Sequence, residues 1–212
     1  MNRGLFITIE GTDGSGKTTQ IRNMMEHMSS LGCKVLLTRE PGGTRISESI
    51  RSIILDPAYT EMHNVTELLL YSAARAQLVE QVIKPTVAKG QTVICDRYTD
   101  SFFAYQGYGR GLDMDMLEKI TTTAIDGMMP DITFFFDLDP EIGLKRRMTA
   151  AAGDRIENEV MEFHRRVYDG YKELAAKYSD RIKTIDASKP VDEVWKDVRH
   201  QLEMVLGFIR QV

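Results

Sequence analysis

The sequence predicts an α/β fold, a five-stranded parallel sheet flanked by helices. Three observations carry this reading. Five short runs rich in β-branched or aromatic residues recur along the chain, and stretches with helical spacing separate them. A glycine-rich turn joins the first run directly to the first helical stretch. The residues with chemistry to offer cluster just after the runs, where ligands gather in parallel sheets.

Taken in order, the first strand is expected over residues 5–10, Leu-Phe-Ile-Thr-Ile-Glu. Ile21, Met24, Met25, Met28 and Leu31 then repeat at helical spacing, and those methionines read as core filler. Strands are expected at 34–38, 92–95, 132–137 and 181–185. Asp139-Pro140-Glu141 is a helix start: a capping carboxylate, a proline in the first turn, then an acid. Val160, Phe163, Val167, Tyr171, Leu174 and Tyr178 form a long apolar stripe. Val194, Val198, Leu202 and Val205 define a closing helix over 191–209.

The chain has 212 residues, so one domain spanning 1–212 is expected, with no linker or repeat to divide it. Its formal net charge of −4 argues against a broad nucleic-acid surface. No apolar run approaches membrane-span length, and the N-terminus lacks the shape of a secretory signal. Only Cys33 and Cys95 are present, without metal-ligand spacing. A reduced, cytoplasmic protein without disulfides is expected. His27, His63, His164 and His200 form no ligand pattern.

Gly11-Thr12-Asp13-Gly14-Ser15-Gly16-Lys17-Thr18-Thr19 fits the phosphate-loop pattern G-x-x-x-x-G-K-[ST]. Glycines let backbone N–H groups converge on phosphate oxygens. Lys17 brings a positive charge to the terminal phosphates, and the Thr18 hydroxyl is placed for Mg²⁺. The fold class therefore sharpens to a P-loop NTPase-type three-layer sandwich. Asp96 ends the third strand as a carboxylate for the same metal, and Arg97 follows it. A strand-end aspartate capping a turn, with Arg97 in solvent, is the alternative reading of that pair taken alone.

Arg39, Arg51, Arg75 and Arg97 all fall near the sheet edge. Two phosphorylated substrates explain so many arginines better than one, since each fork grips a phosphate in two places. Tyr71, Tyr98, Tyr105 and Tyr108 interleave with them, suited to stacking on a base, although each is also ordinary amphipathic packing. Lys145-Arg146-Arg147 and Asp154-Arg155 bracket Gly153, and a short lid over about 145–157 is expected there. Lys145 reads as a solvated helix face.

These motifs resemble the bacterial and archaeal thymidylate kinases, of the type that carries lid arginines. The resemblance runs nearly end to end. Beside the phosphate loop it rests on Thr38-Arg39-Glu40-Pro41-Gly42-Gly43-Thr44, Tyr71-Ser72-Ala73-Ala74-Arg75-Ala76-Gln77, Asp96-Arg97-Tyr98 and Ala104-Tyr105-Gln106-Gly107. It implies the reaction ATP + dTMP → ADP + dTDP with Mg²⁺, a step toward dTTP for DNA replication. By the same resemblance Asp13 meets the sugar 3′-hydroxyl. Tyr71 stacks on thymine, and Arg75 reaches the base carbonyl edge. Arg51 and Arg97 clamp the acceptor phosphate, Ser101 and Gln106 lie near the nucleoside, and Tyr105 crowds the 2′ position. Thr18 and Asp96 serve Mg²⁺, and Lys17, Arg97, Arg147 and Arg155 carry catalysis. Backbone of 186–190 would contact adenine.

One branch of the family has an arginine after the loop carboxylate. Gly14 stands there instead, so the lid must supply that charge. Tyr168 departs from the basic residue frequent at its position. The resemblance further implies a homodimer built by helix packing, with dTMP and ATP as ligands and neither nucleic acid nor membrane as a partner. Other readings are another nucleoside monophosphate kinase, acting on UMP, CMP or AMP, and a phosphate-loop switch ATPase. The GTP-reading tetrapeptide Asn-Lys-x-Asp is absent from the sequence.

Overall fold

The computed structural model describes residues 3–148 and 154–210, with backbone alone for Arg147, Met148 and 208–210. Five strands, β1 (Phe6–Glu10), β2 (Val35–Arg39), β3 (Thr92–Asp96), β4 (Ile132–Asp137) and β5 (Ile182–Asp186), form one sheet in the order β2-β3-β1-β4-β5. Every pairing is parallel. Each strand lies within one residue of its expected span at either end. The register sets Ile9 beside Asp96, and Asp96 beside Arg39, so the ends of β1, β3 and β2 meet at one edge.

Helices fill the connections: α1 (Lys17–Ser30), α2 (Arg45–Leu55), α3 (Asn64–Leu78), α4 (Lys84–Ala88), α5 (Thr99–Phe102), α6 (Met114–Ile125), α7 (Pro140–Met148), α8 (Met161–Lys177) and α9 (Val191–Arg210). Two π-helical stretches, Val79–Ile83 and Phe103–Gly109, extend α3 and α5. The sequence reading did not foresee them; such wide turns are frequent at functional sites. The caps obey local chemistry. Thr44 accepts the Ser47 N–H at 3.0 Å, and Asp113 accepts that of Met116 at 2.8 Å. Asp139 accepts the N–H of Glu141 at 2.8 Å, as its position before Pro140 predicts.

Strand alternation sorts the side chains into two layers. Ile7, Ile9, Ile94, Phe134 and Phe136 face one way and pack on Ile21, Met24 and Met28 of α1 and Val194, Val198 and Leu202 of α9. Met24 and Met28 are fully buried, which confirms them as core. The opposite face carries Phe6, Val93 and Cys95 against Leu78 and Val79, and Phe135 against α8. Val160 and Tyr178 of the expected α8 stripe are exposed because they are the caps, just outside the helix.

The same parity governs two acids. Glu10 has the parity of Phe6 and Thr8 and points toward α5 and α8, whereas Asp96 has that of Ile94 and points toward α1. The Glu10 face also holds a buried polar layer, in which Arg181 grips Asp100 with both guanidinium nitrogens at 2.7 and 2.8 Å. Among the described residues no helix is long and apolar enough to cross a membrane.

Gly170 of α8 lets the Tyr108 ring lie against the helix: a Cβ there would come within 2.5 Å of the ring. Gly170→Ala should cost about 1–3 kcal/mol of overpacking. Urea melts should show the penalty in the parent and a smaller one in a Tyr108→Ala background, which removes the ring but keeps the Cβ 2.7 Å from the added methyl. Equal penalties in both backgrounds would exclude the ring contact as its cause.

Candidate active site

A cavity of about 630 Å³ opens at the edge where β1, β2 and β3 end. Its floor is the phosphate loop. Gly16 caps α1 at φ 88° without any side-chain hydrogen bond, so the first N–H groups of the helix remain available. Lys17 is buried, its Nζ donating to the carbonyls of Gly11 at 3.0 Å and Thr12 at 2.8 Å. Burial, then the nearby Arg97, push its pKa down to about 8 despite the opposing pull of Asp13 and Asp96. The loop is roofed closely by α7. A Cβ on Gly14, itself at φ +74°, would lie 2.0 Å from the Gly143 carbonyl oxygen.

Arg97 dominates the middle of the cavity. It adopts φ 70°, a left-handed conformation costly for arginine, directly after β3. Its Nη2 donates to Asp13 at 2.6 Å, and its Nη1 to the Tyr171 hydroxyl at 3.1 Å. Burial alone would raise the Asp13 pKa; Arg97 and Lys17 outweigh it and hold the carboxyl at about 2. Beneath this pair sits Glu10, wholly buried. It accepts the backbone N–H of Tyr98 at 2.8 Å, the Ser101 hydroxyl, and the Tyr171 hydroxyl at 3.4 Å. Burial and the neighbouring Asp100 push its pKa up to about 8.

The far end is built on α3, where Glu67, Tyr71 and Arg75 follow one another at helical spacing. Tyr71, Arg75, Tyr105 and Gln106 line the cavity. Arg75 is fully buried and paired with Glu40 at 2.7 Å, its guanidinium 4.7 Å from the centre of the Phe102 ring. Its Nη1 has no hydrogen-bond partner. Arg97 lies over the Tyr105 ring at 5.2 Å. Arg51 lines the cavity while donating to the Pro41 carbonyl at 2.9 Å.

A family model described as thymidylate kinase matches residues 9–198. The chain belongs to the thymidylate kinase family. It is 51% identical over 206 residues to the thymidylate kinase of Pelotomaculum thermopropionicum, covering 96% of this chain and 95% of that protein. It is 50% identical over 195 residues to that of Geobacillus sp., covering 91% and 93%. A solved thymidylate kinase structure from Ehrlichia chaffeensis superimposes with TM-score 0.77 at 36% identity, covering 95% of this chain and 99% of that one. The P-loop NTPase-type fold is that of the family.

Most of the expected site residues therefore share one cavity: Asp13, Gly14, Ser15, Gly16, Lys17, Thr18 and Thr19 at the floor, with Arg51, Tyr71, Arg75, Asp96, Arg97, Ser101, Tyr105 and Gln106 around it. Gly11 and Thr12 act from behind through their carbonyls. Four other groups take the following places. Arg155 does not line the cavity; it is held by Glu67 and by the Ile54 carbonyl at 2.8 Å. Tyr98 borders the cavity but is fully buried, its hydroxyl donating to the Met128 carbonyl at 2.8 Å. Tyr108 packs on Gly170, its hydroxyl donating to Glu173 at 2.9 Å. Residues 186–190 do not line this cavity, and the Asp186 carboxylate caps its own turn, accepting the Ser188 N–H at 3.0 Å. The side chain of Arg147 and residues 149–153 of the expected lid lie outside the described residues. Arg146, beside them, lines the cavity.

The structure also accounts for two family departures. With the Gly143 carbonyl so close, no arginine side chain fits at position 14 in this arrangement. Tyr168 instead donates its hydroxyl to Asp137 at 2.7 Å, tying α8 to the end of β4. Sequence reading missed Glu10, Glu40, Glu67 and Tyr171 as site-building residues. Only Glu67 left a legible trace, its spacing four before Tyr71 and eight before Arg75.

A lysine with a lowered pKa is charged below that pKa and neutral above it. In the free enzyme kcat/KM for ATP should therefore fall as pH rises through about 8. A pH profile that stays flat well into the alkaline range would exclude Lys17 as a titrating phosphate contact.

Proposed function

We propose that this enzyme moves the γ-phosphoryl group of ATP to the phosphate of dTMP, giving ADP and dTDP. The observation that carries the proposal is one cavity with a phosphate loop at one end, an unpartnered buried arginine nitrogen at the other, and Arg97 with Asp13 between them. Those three stations match a donor phosphate, a base and an acceptor phosphate on its sugar.

The bond from the γ-phosphorus to the ADP oxygen breaks as a dTMP phosphate oxygen bonds to that phosphorus. The acceptor is already an anion, so no strong base is needed, and positioning and charge stabilisation supply the rate. Lys17 and the α1 N-terminus hold the donor phosphates. Arg97 and Arg51 orient the acceptor phosphate. Asp13, ionised under the influence of Arg97, accepts a hydrogen bond from the sugar 3′-hydroxyl. Tyr71 covers the base, Arg75 and Gln106 read its edge, Ser101 lies near the nucleoside, and Tyr105 excludes a 2′-hydroxyl. The 145–157 segment closes over the phosphates, with Arg147 its cation.

Mg²⁺ fits the donor set. Asp96 Oδ1 is buried without a partner, and Thr18 lines the same cavity. No group of three or more His, Cys, Asp or Glu that could hold a metal occurs among the described residues, in keeping with an ion held largely by substrate phosphates. Bound there, Mg²⁺ would neutralise phosphate charge. The free thiols of Cys33 and Cys95 suit a reducing cytoplasm.

A homodimer is supported by α3 and α6, which border a shallow groove lined by Leu69, Ala73, Ala76, Ile120 and Thr123, with Leu69 51% exposed. Leu69→Arg should convert a dimer to monomer in light scattering. An unchanged mass would move the interface elsewhere.

The reaction is tested by ADP release with ATP and Mg²⁺ against dTMP, dUMP, UMP, CMP, AMP and GMP. Turnover should be fastest with dTMP, weak with ribonucleotides and lost without Mg²⁺. Folded Arg97→Ala should lose roughly 100- to 1000-fold in kcat. ADP release independent of an acceptor would favour a switch ATPase instead.

A further inference from the structure

Glu67 is a buried acid, 1% exposed, that the mechanism above does not use. Four donor atoms from three residues converge on it. Gln106 Nε2 donates to its Oε1 at 2.9 Å. Arg110 straddles both oxygens, with Nε on Oε1 at 3.0 Å and Nη2 on Oε2 at 3.1 Å. Arg155 Nη2 donates to Oε2. Burial favours the neutral acid, but the two arginines outweigh it and lower the pKa, so the group is a carboxylate. An ionised carboxylate only accepts hydrogen bonds.

That restriction has a consequence for Gln106. Its amide has one donating and one accepting end, and Glu67 takes the donating end. The accepting oxygen is left for the cavity that Gln106 lines. Arg75, which lines the same cavity, holds a buried donor, Nη1, without a partner. We infer that Glu67 is a specificity-positioning residue, locking Gln106 so that, with Arg75, the pocket pairs one donor and one acceptor against the base. That pair complements a pyrimidine whose ring N–H adjoins a carbonyl, as in thymine and uracil. It opposes cytosine, which presents a bare ring nitrogen beside an amino group. The same carboxylate, through Arg155, fastens residues 154–157 to the wall that holds Gln106. The inference rests on the kinase reading above and adds the residue that sets its base choice.

Glu67→Gln is the direct test. Its amide oxygen is expected to turn toward the two arginines, leaving its NH₂ to face Gln106, which then reverses and offers its own NH₂ to the cavity. With ATP saturating, kcat/KM for dTMP should fall about ten-fold or more, chiefly through KM, and the dCMP/dTMP ratio of kcat/KM should rise by a similar factor. The KM for ATP should stay within about two-fold, since no donor-phosphate contact changes. Gln106→Leu should also raise this ratio, and adding Glu67→Gln to it should raise it no further.

An unchanged ratio in folded Glu67→Gln, with Gln106→Leu still raising it, would overturn the role of Glu67 and leave the kinase reading intact. Absence of dTMP turnover in the parent enzyme would overturn the kinase reading itself. Should Glu67→Gln fail to fold, Glu67→Gln with Arg155→Met removes one excess buried cation and is read by the same ratio. An unchanged ratio there also overturns the inference.

Discussion

The carboxyl group of Glu10 is the point on which the site is assembled. It ends the central strand on the face where α5 and α8 pack. There it collects the Tyr98 N–H, the Ser101 hydroxyl and the Tyr171 hydroxyl from elements far apart in the chain. Tyr171 in turn receives Arg97 Nη1. The arginine expected at the acceptor phosphate is thus fixed by a group that never reaches the cavity. Full burial, then the neighbouring Asp100, raises the Glu10 pKa, while the hydrogen bonds it collects pull the other way.

The cavity walls follow a similar logic of compensation. Arg75 and Glu40 are both removed from water, a costly arrangement unless the partners satisfy one another. They do so only in part, and Arg75 keeps one nitrogen unpaired. A guanidinium already desolvated and already oriented loses little on meeting a carbonyl. The α3 helix repeats this economy at each turn, with Glu67, Tyr71 and Arg75 all directed to one side.

Much of this was legible in the sequence because it is local. Strand spans follow from β-branched runs, the loop from its glycines, and the Asp139 cap from the residues after it. Parity extends the same reasoning to the sheet, since Asp96 lies with Ile94 on the α1 side. What was not legible depends on long-range pairing. Arg155 reads as a lid cation from its neighbours Gly153 and Asp154, and only the fold brings it to Glu67, 88 positions earlier. Tyr98 and Tyr108 have the same composition cues as Tyr71 and Tyr105. That Tyr105 reaches the cavity while Tyr108 packs on Gly170 is decided within the π-helical stretch, and no period in the sequence reports that.

The contact between Gly14 and Gly143 couples two parts of the molecule that carry different duties. With no side chain on either, the phosphate loop and α7 touch backbone to backbone. A side chain at either position would drive the two elements apart, so the spacing of α7 above the donor loop is set by glycine on both sides.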